Sequence, residues 1–128
     1  MFRQLPPSVE GELRRRLATY AATPAPAAAI AGIMDLGEGT ALKVESEGLD
    51  DIRYDLALAL HGLLTPQDRA PWHPHVTIQN KVEPREAKRL QAQLRAGFER
   101  RPLVIKGLAL WRYLGGPWEP VKSYTFRG

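Results

Sequence analysis

Apolar residues in the N-terminal part of the chain recur at the spacing of a helix. Leu13, Leu17 and Tyr20 follow one another at intervals of four and three residues, so their side chains share one face of a helix. Ser8 precedes this pattern, and a serine there favours an N-cap. Pro24 follows it, and proline cannot continue a helix. The pattern predicts a first helix between Ser8 and Pro24.

Two further segments show the same helical spacing. Asp50 opens the first of them and places negative charge at the positive end of the helix dipole. Its predicted buried stripe is Ile52, Leu56, Leu60 and Leu63. The other begins at Glu83, which is followed by a proline that suits a first helical turn. Its predicted buried face is Ala87, Leu90, Leu94 and Phe98.

The remaining apolar segments are shorter and predict strands. Five are expected, at residues 27–35, 40–46, 75–81, 103–111 and 119–126. Glycine-rich turns link the first two strands and the last two, so each pair predicts an antiparallel hairpin. The order is helix, strand, strand, helix, strand, helix, strand, strand, a degenerate repeat of a strand–helix–hairpin unit. This order predicts an α+β domain with mostly antiparallel sheet and helices on one face.

Composition narrows the class of protein. The 128 residues fit one domain and contain no cysteine, which excludes disulfides and thiolate chemistry. No apolar run reaches the roughly 18 residues of a membrane span, so we expect a cytoplasmic protein without membrane contact. Residues 1–64 hold 6 Lys/Arg and 9 Asp/Glu, whereas residues 65–128 hold 12 and 5. A basic half suggests an anionic partner, although a solvated basic surface explains it equally well.

The strand predicted at residues 75–81 carries the residues best suited to chemistry. His75 and Thr77 are two positions apart, so their side chains point to the same face, roughly 6–7 Å apart along the strand. Imidazole can exchange a proton with an attacking or leaving oxygen, and a hydroxyl can donate to a phosphate oxygen. A phosphate group fits between them. A His-x-Thr triplet alone is a weak signal, because a structural histidine satisfies it too.

The context of this triplet resembles a known family. Residues 74–81 (PHVTIQNK) resemble the second motif of the two-histidine phosphoesterases, the superfamily that includes 2'-5' RNA ligases and RNA cyclic phosphodiesterases. Residues 64–69 (LTPQDR) and 107–118 (GLALWRYLGGPW) resemble its bacterial branch. The resemblance runs along nearly the whole chain and is strongest from residue 60 onward.

The resemblance implies a bilobal fold with pseudo-two-fold symmetry, in which each lobe contributes one His-x-Thr motif to a central cleft. Residues 1–64 would then be the remainder of the first lobe and residues 65–128 the second lobe. One histidine of such a pair acts as general base and the other as general acid, without a metal or other cofactor. The substrate class implied is an RNA end or nucleotide phosphodiester, with His75 as a catalytic histidine and Thr77 as its phosphate-binding partner.

The sequence departs from this pattern in one respect, since it contains a single His-x-Thr. The repeat would place the other motif just upstream of Met1. Two interpretations are open: a misassigned start or truncation, or half of an active site that a second subunit completes. We expect the chain to be nearly inactive alone. The sheet edge left without its strand predicts a homodimer, because unpaired edges favour association.

Further residues are assigned more loosely. Arg112, Tyr113 and Lys81 are predicted to bind substrate by pairing with phosphate or stacking on bases, although core packing and solvation explain them as well. His73 and His75 could ligate zinc, but no third ligand has a recognisable spacing. We therefore predict no metal. The alternative to a phosphodiesterase is a noncatalytic nucleotide- or RNA-binding module on the same fold.

Overall fold

The computed structural model describes residues 1–127 and confirms the order of the predicted elements. A 3-10 turn at Pro7–Val9 leads into the first helix. The helices are α1 (Glu10–Ala21), α2 (Glu47–Ala59), α3 (Pro66–Arg69) and α4 (Pro84–Ala96). The strands are β1 (Ala28–Asp35), β2 (Thr40–Glu45), β3 (His75–Gln79), β4 (Arg101–Leu103), β5 (Gly107–Tyr113) and β6 (Trp118–Thr125).

The predicted starts of two helices were wrong. Ser8 lies inside the 3-10 turn, and the residue that precedes α1 is Val9, whose side chain makes no capping bond. Helix α2 begins about one turn before Asp50, because the Ser46 hydroxyl accepts a hydrogen bond of 3.2 Å from the Leu49 amide. The same hydroxyl donates to the Ala27 carbonyl at 2.7 Å. Ser46 therefore caps α2 and joins it to the start of β1.

Two other local predictions also need correction. Leu63 lies beyond the end of α2 and is 46% exposed, so it is not part of the buried stripe. The segment at residues 66–69 forms the short helix α3, because the Thr65 hydroxyl accepts from the Asp68 amide and caps it. On α4, Ala87 is buried as predicted, whereas Leu90 and Leu94 are half-buried. Phe98 is also half-buried and lies beyond the end of the helix.

The strand predicted at residues 103–111 is two strands in different sheets. β4 pairs with β1 and forms the edge of a four-stranded antiparallel sheet of order β3-β2-β1-β4. β5 pairs with β6 in a two-stranded antiparallel sheet. Gly107 begins β5 where the backbone of Tyr124 approaches so closely that a side chain would collide with its carbonyl oxygen. The chain thus leaves one sheet and enters the other between Leu103 and Gly107.

Each sheet has helices on one face. α4 packs against β1 and β2, whereas α1 packs against β5 and β6. A buried cluster joins α1, α2 and the two-stranded sheet: Val9, Leu13, Leu17, Ala21, Leu56, Leu60 and Tyr124. The α+β class with antiparallel sheets is confirmed, and among residues 1–127 no helix is long and apolar enough to cross a membrane. The division into lobes at residue 64 stays a prediction.

The N-terminal segment is fastened to the loop that precedes β3. The Asp68 carboxylate is buried and accepts hydrogen bonds from the amides of Arg3 at 3.0 Å and Gln4 at 2.8 Å. Arg53 on α2 donates to the Asp68 carbonyl, and its guanidinium lies 4.9 Å from the centre of the Phe2 ring and 5.9 Å from that of Trp72. These contacts hold three separate parts of the chain together beside the strand that carries His75.

Gln91 is the polar link between α4 and the β1–β2 hairpin. It is 2% exposed, and its side-chain nitrogen donates to the Asp35 carboxylate at 3.0 Å and the Gly39 carbonyl at 3.1 Å. It also lies 3.3 Å from the Thr40 hydroxyl. The backbone amide of Gly37 and the Gln91 amide together lower the pKa of Asp35 below its usual 3.8, so the carboxylate stays ionised at neutral pH.

Replacing Gln91 is therefore expected to destabilise the fold. Gln91→Ala leaves buried acceptors without their donor and should lower the free energy of unfolding by about 1–3 kcal/mol. Urea denaturation measures the change. Gln93→Ala is the matched control, because Gln93 is an exposed glutamine on the same helix. Equal effects of the two substitutions would contradict the assigned role of Gln91.

Candidate functional site

His75 and Thr77 lie on β3, an edge strand of the four-stranded sheet. Pro74 lacks an amide hydrogen but its carbonyl accepts from the Val44 amide at 3.0 Å, which starts the ladder with β2. His75 is then the register partner of Lys43, and Thr77 that of Ala41. Register partners share a face, and both His75 and Thr77 are exposed. The pair therefore stands side by side as alternation predicted, although its catalytic role stays a prediction.

The imidazole of His75 is oriented by the backbone. Its Nδ1 lies 2.7 Å from the His73 carbonyl oxygen. A carbonyl can only accept, so Nδ1 must carry the hydrogen of this bond. In the neutral ring the lone pair is then on Nε2, and in the protonated ring Nε2 carries a second hydrogen. Nε2 is thus the nitrogen that can give or take a proton.

The face that carries His75 is the one α4 leaves uncovered. Thr40, whose side chain meets α4 through Gln91, neighbours Ala41 and so points the opposite way. Beside the His75–Thr77 pair the uncovered face carries small residues, with Ala41 across from Thr77 and Gly32 beyond Lys43.

A cleft of about 1050 Å³ extends from this face towards the start of α2. Its lining includes Lys43, Glu45, Arg100, Trp72, His73 and Gly48. This volume is at the upper end for small-molecule sites. Glu45 accepts from Arg100 at 2.7 Å, and that hydrogen bond lowers the pKa of Glu45 below its usual 4.5. The cleft therefore combines two cationic side chains, Lys43 and Arg100, with the carboxylates of Glu45, Glu47 and Asp50, and neither His75 nor Thr77 is among its lining residues.

Sequence reasoning missed the residues Lys43, Glu45, Arg100 and Trp72. Lys43 and Glu45 alternate on a predicted strand, which indicated that they share a face. The sequence pattern does not show that β3 is the strand beside β2, because their paired residues lie more than 30 positions apart. Trp72 and Arg100 lie in connecting segments, and no spacing in the sequence places them.

Arg112 and Tyr113 lie on the two-stranded sheet and point to its opposite faces. Arg112 faces α1. Its guanidinium bonds to Glu10 of α1 and to Glu119 of β6, each at 2.8 Å. Tyr113 is 58% exposed and packs against Trp118 with ring centres 4.9 Å apart. Within residues 1–127, no hydrogen bond or ring contact joins either side chain to His75. Their role in substrate binding stays a prediction.

The remaining predicted positions are also exposed. Lys81 follows β3 with φ 55°, a left-handed conformation that a lysine rarely adopts. Its amide donates to the Asn80 side chain at 3.0 Å, which supports the turn. His73 lines the cleft beside His75. No group of three or more histidine, cysteine, aspartate or glutamate side chains within residues 1–127 is arranged to hold a metal ion.

The chain resembles one known protein family over most of its length. The family model of the 2'-5' RNA ligase superfamily matches residues 2–117, which include β3, α4 and all of β5. The chain belongs to the 2'-5' RNA ligase superfamily. No curated protein matches the chain. Membership is consistent with the predicted two-histidine phosphoesterase resemblance and with a phosphoesterase-like function.

The ion pair between Arg112 and Glu10 should make stability depend on acid pH. The hydrogen bond from Arg112 lowers the pKa of Glu10 below its usual 4.5. This contribution is present above pH 4.5 and is lost as the pH falls through the folded-state pKa. Glu10→Gln should therefore lower the free energy of unfolding at pH 7, and the difference from the wild type should shrink below pH 4.5.

Urea denaturation of the wild type and of Glu10→Gln between pH 7 and pH 3 measures the two free energies of unfolding. Glu99→Gln is the matched control, because Glu99 is exposed and forms no ion pair within the described residues. A difference between Glu10→Gln and the wild type that stays constant from pH 7 to pH 3 would show that Arg112 does not act on the Glu10 charge.

Proposed function

We propose that the chain is a phosphodiesterase that acts on RNA ends or small nucleotide phosphodiesters. Its reaction is the opening of a 2',3'-cyclic phosphate or the making and breaking of 2'-5' phosphodiester bonds. His75 is the general acid or base, and the Thr77 hydroxyl donates a hydrogen bond to a non-bridging phosphate oxygen. Membership of the 2'-5' RNA ligase superfamily supports this proposal at the level of phosphoesterase chemistry.

The bond from His75 Nδ1 to the His73 carbonyl is the observation that carries the proposal. It fixes the tautomer of the neutral ring and leaves Nε2 for proton transfer. A histidine held only for structural reasons has both nitrogens satisfied or is packed into a core. His75 instead is exposed on a strand next to a hydroxyl, with Lys43 as its register partner on β2.

Opening a cyclic phosphate by water requires two proton transfers. A base takes a proton from water as the water oxygen bonds to phosphorus, and an acid gives a proton to the ribose oxygen whose bond to phosphorus breaks. His75 supplies one of these transfers. The sequence contains no second His-x-Thr, so the other transfer belongs to a group from elsewhere, and a second subunit is our proposal for its source.

A noncatalytic nucleotide- or RNA-binding module is the second candidate. The single His-x-Thr motif and the excess of Lys and Arg in residues 65–128 favour it. Such a module would bind RNA in a salt-sensitive manner. Its binding would survive the removal of His75, and it would show no turnover.

Substitution of His75 tests the catalytic assignment. His75→Ala removes the proton carrier and should lower the rate of 2',3'-cyclic phosphate opening by about 10²–10⁴-fold. The rate is measured on a short RNA with a cyclic end in metal-free buffer. His61→Ala is the matched control, since His61 is an exposed histidine just after α2. Unchanged turnover in His75→Ala would remove His75 from the mechanism.

The proposed second subunit predicts a dimer in solution. β6 is an unsuitable edge for pairing, since it contains Pro120 and a register irregularity. β5 is seven residues long and has no proline, so its outer edge can accept another strand. Light scattering should therefore give twice the mass of the chain. A monomer at high protein concentration would contradict the shared site.

A further inference from the structure

The outer edge of β3 has backbone groups that are free to pair with another strand. β3 lies at one end of the four-stranded sheet, and within residues 1–127 no strand pairs with its outer side. The Val44 amide donates to the Pro74 carbonyl at 3.0 Å. That bond lies beside the register pair of Lys43 and His75, which makes this pair a non-hydrogen-bonded one. The backbone amide and carbonyl of His75 therefore point away from β2, and by alternation those of Thr77 do so as well.

The free part of this edge is short and is centred on Val76. At one end the His73 carbonyl already accepts from the imidazole of His75. At the other end the Gln79 carbonyl lies against the turn between β1 and β2. Between these limits His75 and Thr77 each offer an outward amide and an outward carbonyl. An added strand can therefore form two pairs of backbone hydrogen bonds, one on each side of Val76.

The side chains of this edge also favour association. Val76 and Ile78 point to the face opposite to His75. Helix α4 packs against β1 and β2 on that face, yet Val76 is 42% exposed and Ile78 is 45% exposed. β3 contains no charged residue apart from the histidine itself, and charged side chains are a usual means of preventing edge strands from pairing. An open edge with exposed apolar side chains is typical of a strand that pairs in an assembly.

We propose that two copies of the chain pair antiparallel through β3, so that the partner's His75 supplies the second proton transfer. A two-fold axis at Val76 pairs His75 with Thr77 of the partner subunit, and Thr77 with the partner's His75. Directly opposite residues share a face of the sheet, so both histidines and both threonines stand on the uncovered face. This inference rests on the proposed function, because it takes His75 as one of two proton-transfer groups.

The other free edge, that of β5, does not produce this arrangement. A dimer formed through β5 would have the same mass, but β5 belongs to the two-stranded sheet, which lacks the His-x-Thr motif. Pairing through β3 places the motif of each copy at the symmetry axis. It is therefore the pairing that can complete the site.

The two imidazoles of the paired motif are diagonal neighbours, with their Cα atoms about 7–8 Å apart. One imidazole takes a proton from water as the water oxygen bonds to phosphorus. The other gives its proton to the ribose oxygen as the bond between that oxygen and phosphorus breaks. After one turnover the two histidines have exchanged protonation states. Because the pair is symmetric, each histidine can then take the other's role in the next turnover.

A cysteine at the proposed axis tests the pairing without reference to activity. The chain contains no cysteine, and Val76→Cys would meet its own copy across a close pair whose spacing suits a disulfide. Mild oxidation should double the mass of this variant on a non-reducing gel. Val104→Cys is the matched control, because Val104 is 77% exposed and lies in neither sheet, and it should remain a single chain. Failure of Val76→Cys to cross-link, or equal cross-linking of both variants, would overturn the proposed pairing.

Mixing the parent chain with His75→Ala tests whether two copies share one site. After exchange in an equal mixture, about one dimer in four has both histidines. The rate of 2',3'-cyclic phosphate opening should therefore fall to about one quarter of the rate of the parent at the same total concentration. Independent sites would retain about one half, which would overturn the shared site. A mixture with His61→Ala, which changes an exposed histidine just after α2, should retain the full rate.

Failure of this inference can be told apart from failure of the proposed function. If the parent opens the cyclic phosphate in a His75-dependent reaction, but the mixture retains half of the rate and Val76→Cys remains a single chain, the shared site is wrong and the proposed function stands. If Val76→Cys forms the covalent dimer but no turnover is found, the pairing stands, and the role of His75 in proton transfer fails together with the proposed function.

Discussion

Pairing between β2 and β3 is the constraint on which the site depends. The paired residues of the two strands lie more than 30 positions apart in sequence, and their register decides that Lys43 and Ala41 flank His75 and Thr77. A slip of one residue would turn the imidazole to the face that α4 covers. Gly39 contributes to this register, because a side chain there would collide with the Gln79 carbonyl at the end of β3. Only a glycine at this position lets the turn between β1 and β2 lie so close to the end of β3.

Local patterns sufficed for the parts of the fold that depend on neighbours in sequence. The helical spacing of Leu13 and Leu17 predicted their burial, and the two-residue spacing of His75 and Thr77 predicted a common face. The motif and its flanks also carried the family resemblance, which the match over residues 2–117 confirms. These features could be predicted because each is encoded in short stretches of consecutive residues.

The errors have a common origin in contacts between distant segments. The change of sheet after Leu103 was not predicted, because the segment at residues 103–111 was taken as one strand, whereas residues 104–106 lie in neither sheet. Ser46 was assigned to the end of a strand, although its hydroxyl serves α2 and β1 together. Lys43 was not recognised, because only the pairing of β2 with β3 places it beside His75. Chemistry that is assembled across strands requires the tertiary structure.

The fastening of the N-terminal segment by Asp68 has a consequence for the motions of the protein. The carboxylate holds the amides of Arg3 and Gln4, and the same residue offers its carbonyl to Arg53. The segment before β3 can therefore open only if the first residues of the chain detach and α2 loses a contact. Loops near a site often fluctuate independently of the core. Here the segment that leads to His75 is tied to the first residues of the chain and to α2. We therefore expect these parts to open together, and the position of the His75 imidazole to be maintained when no ligand is bound.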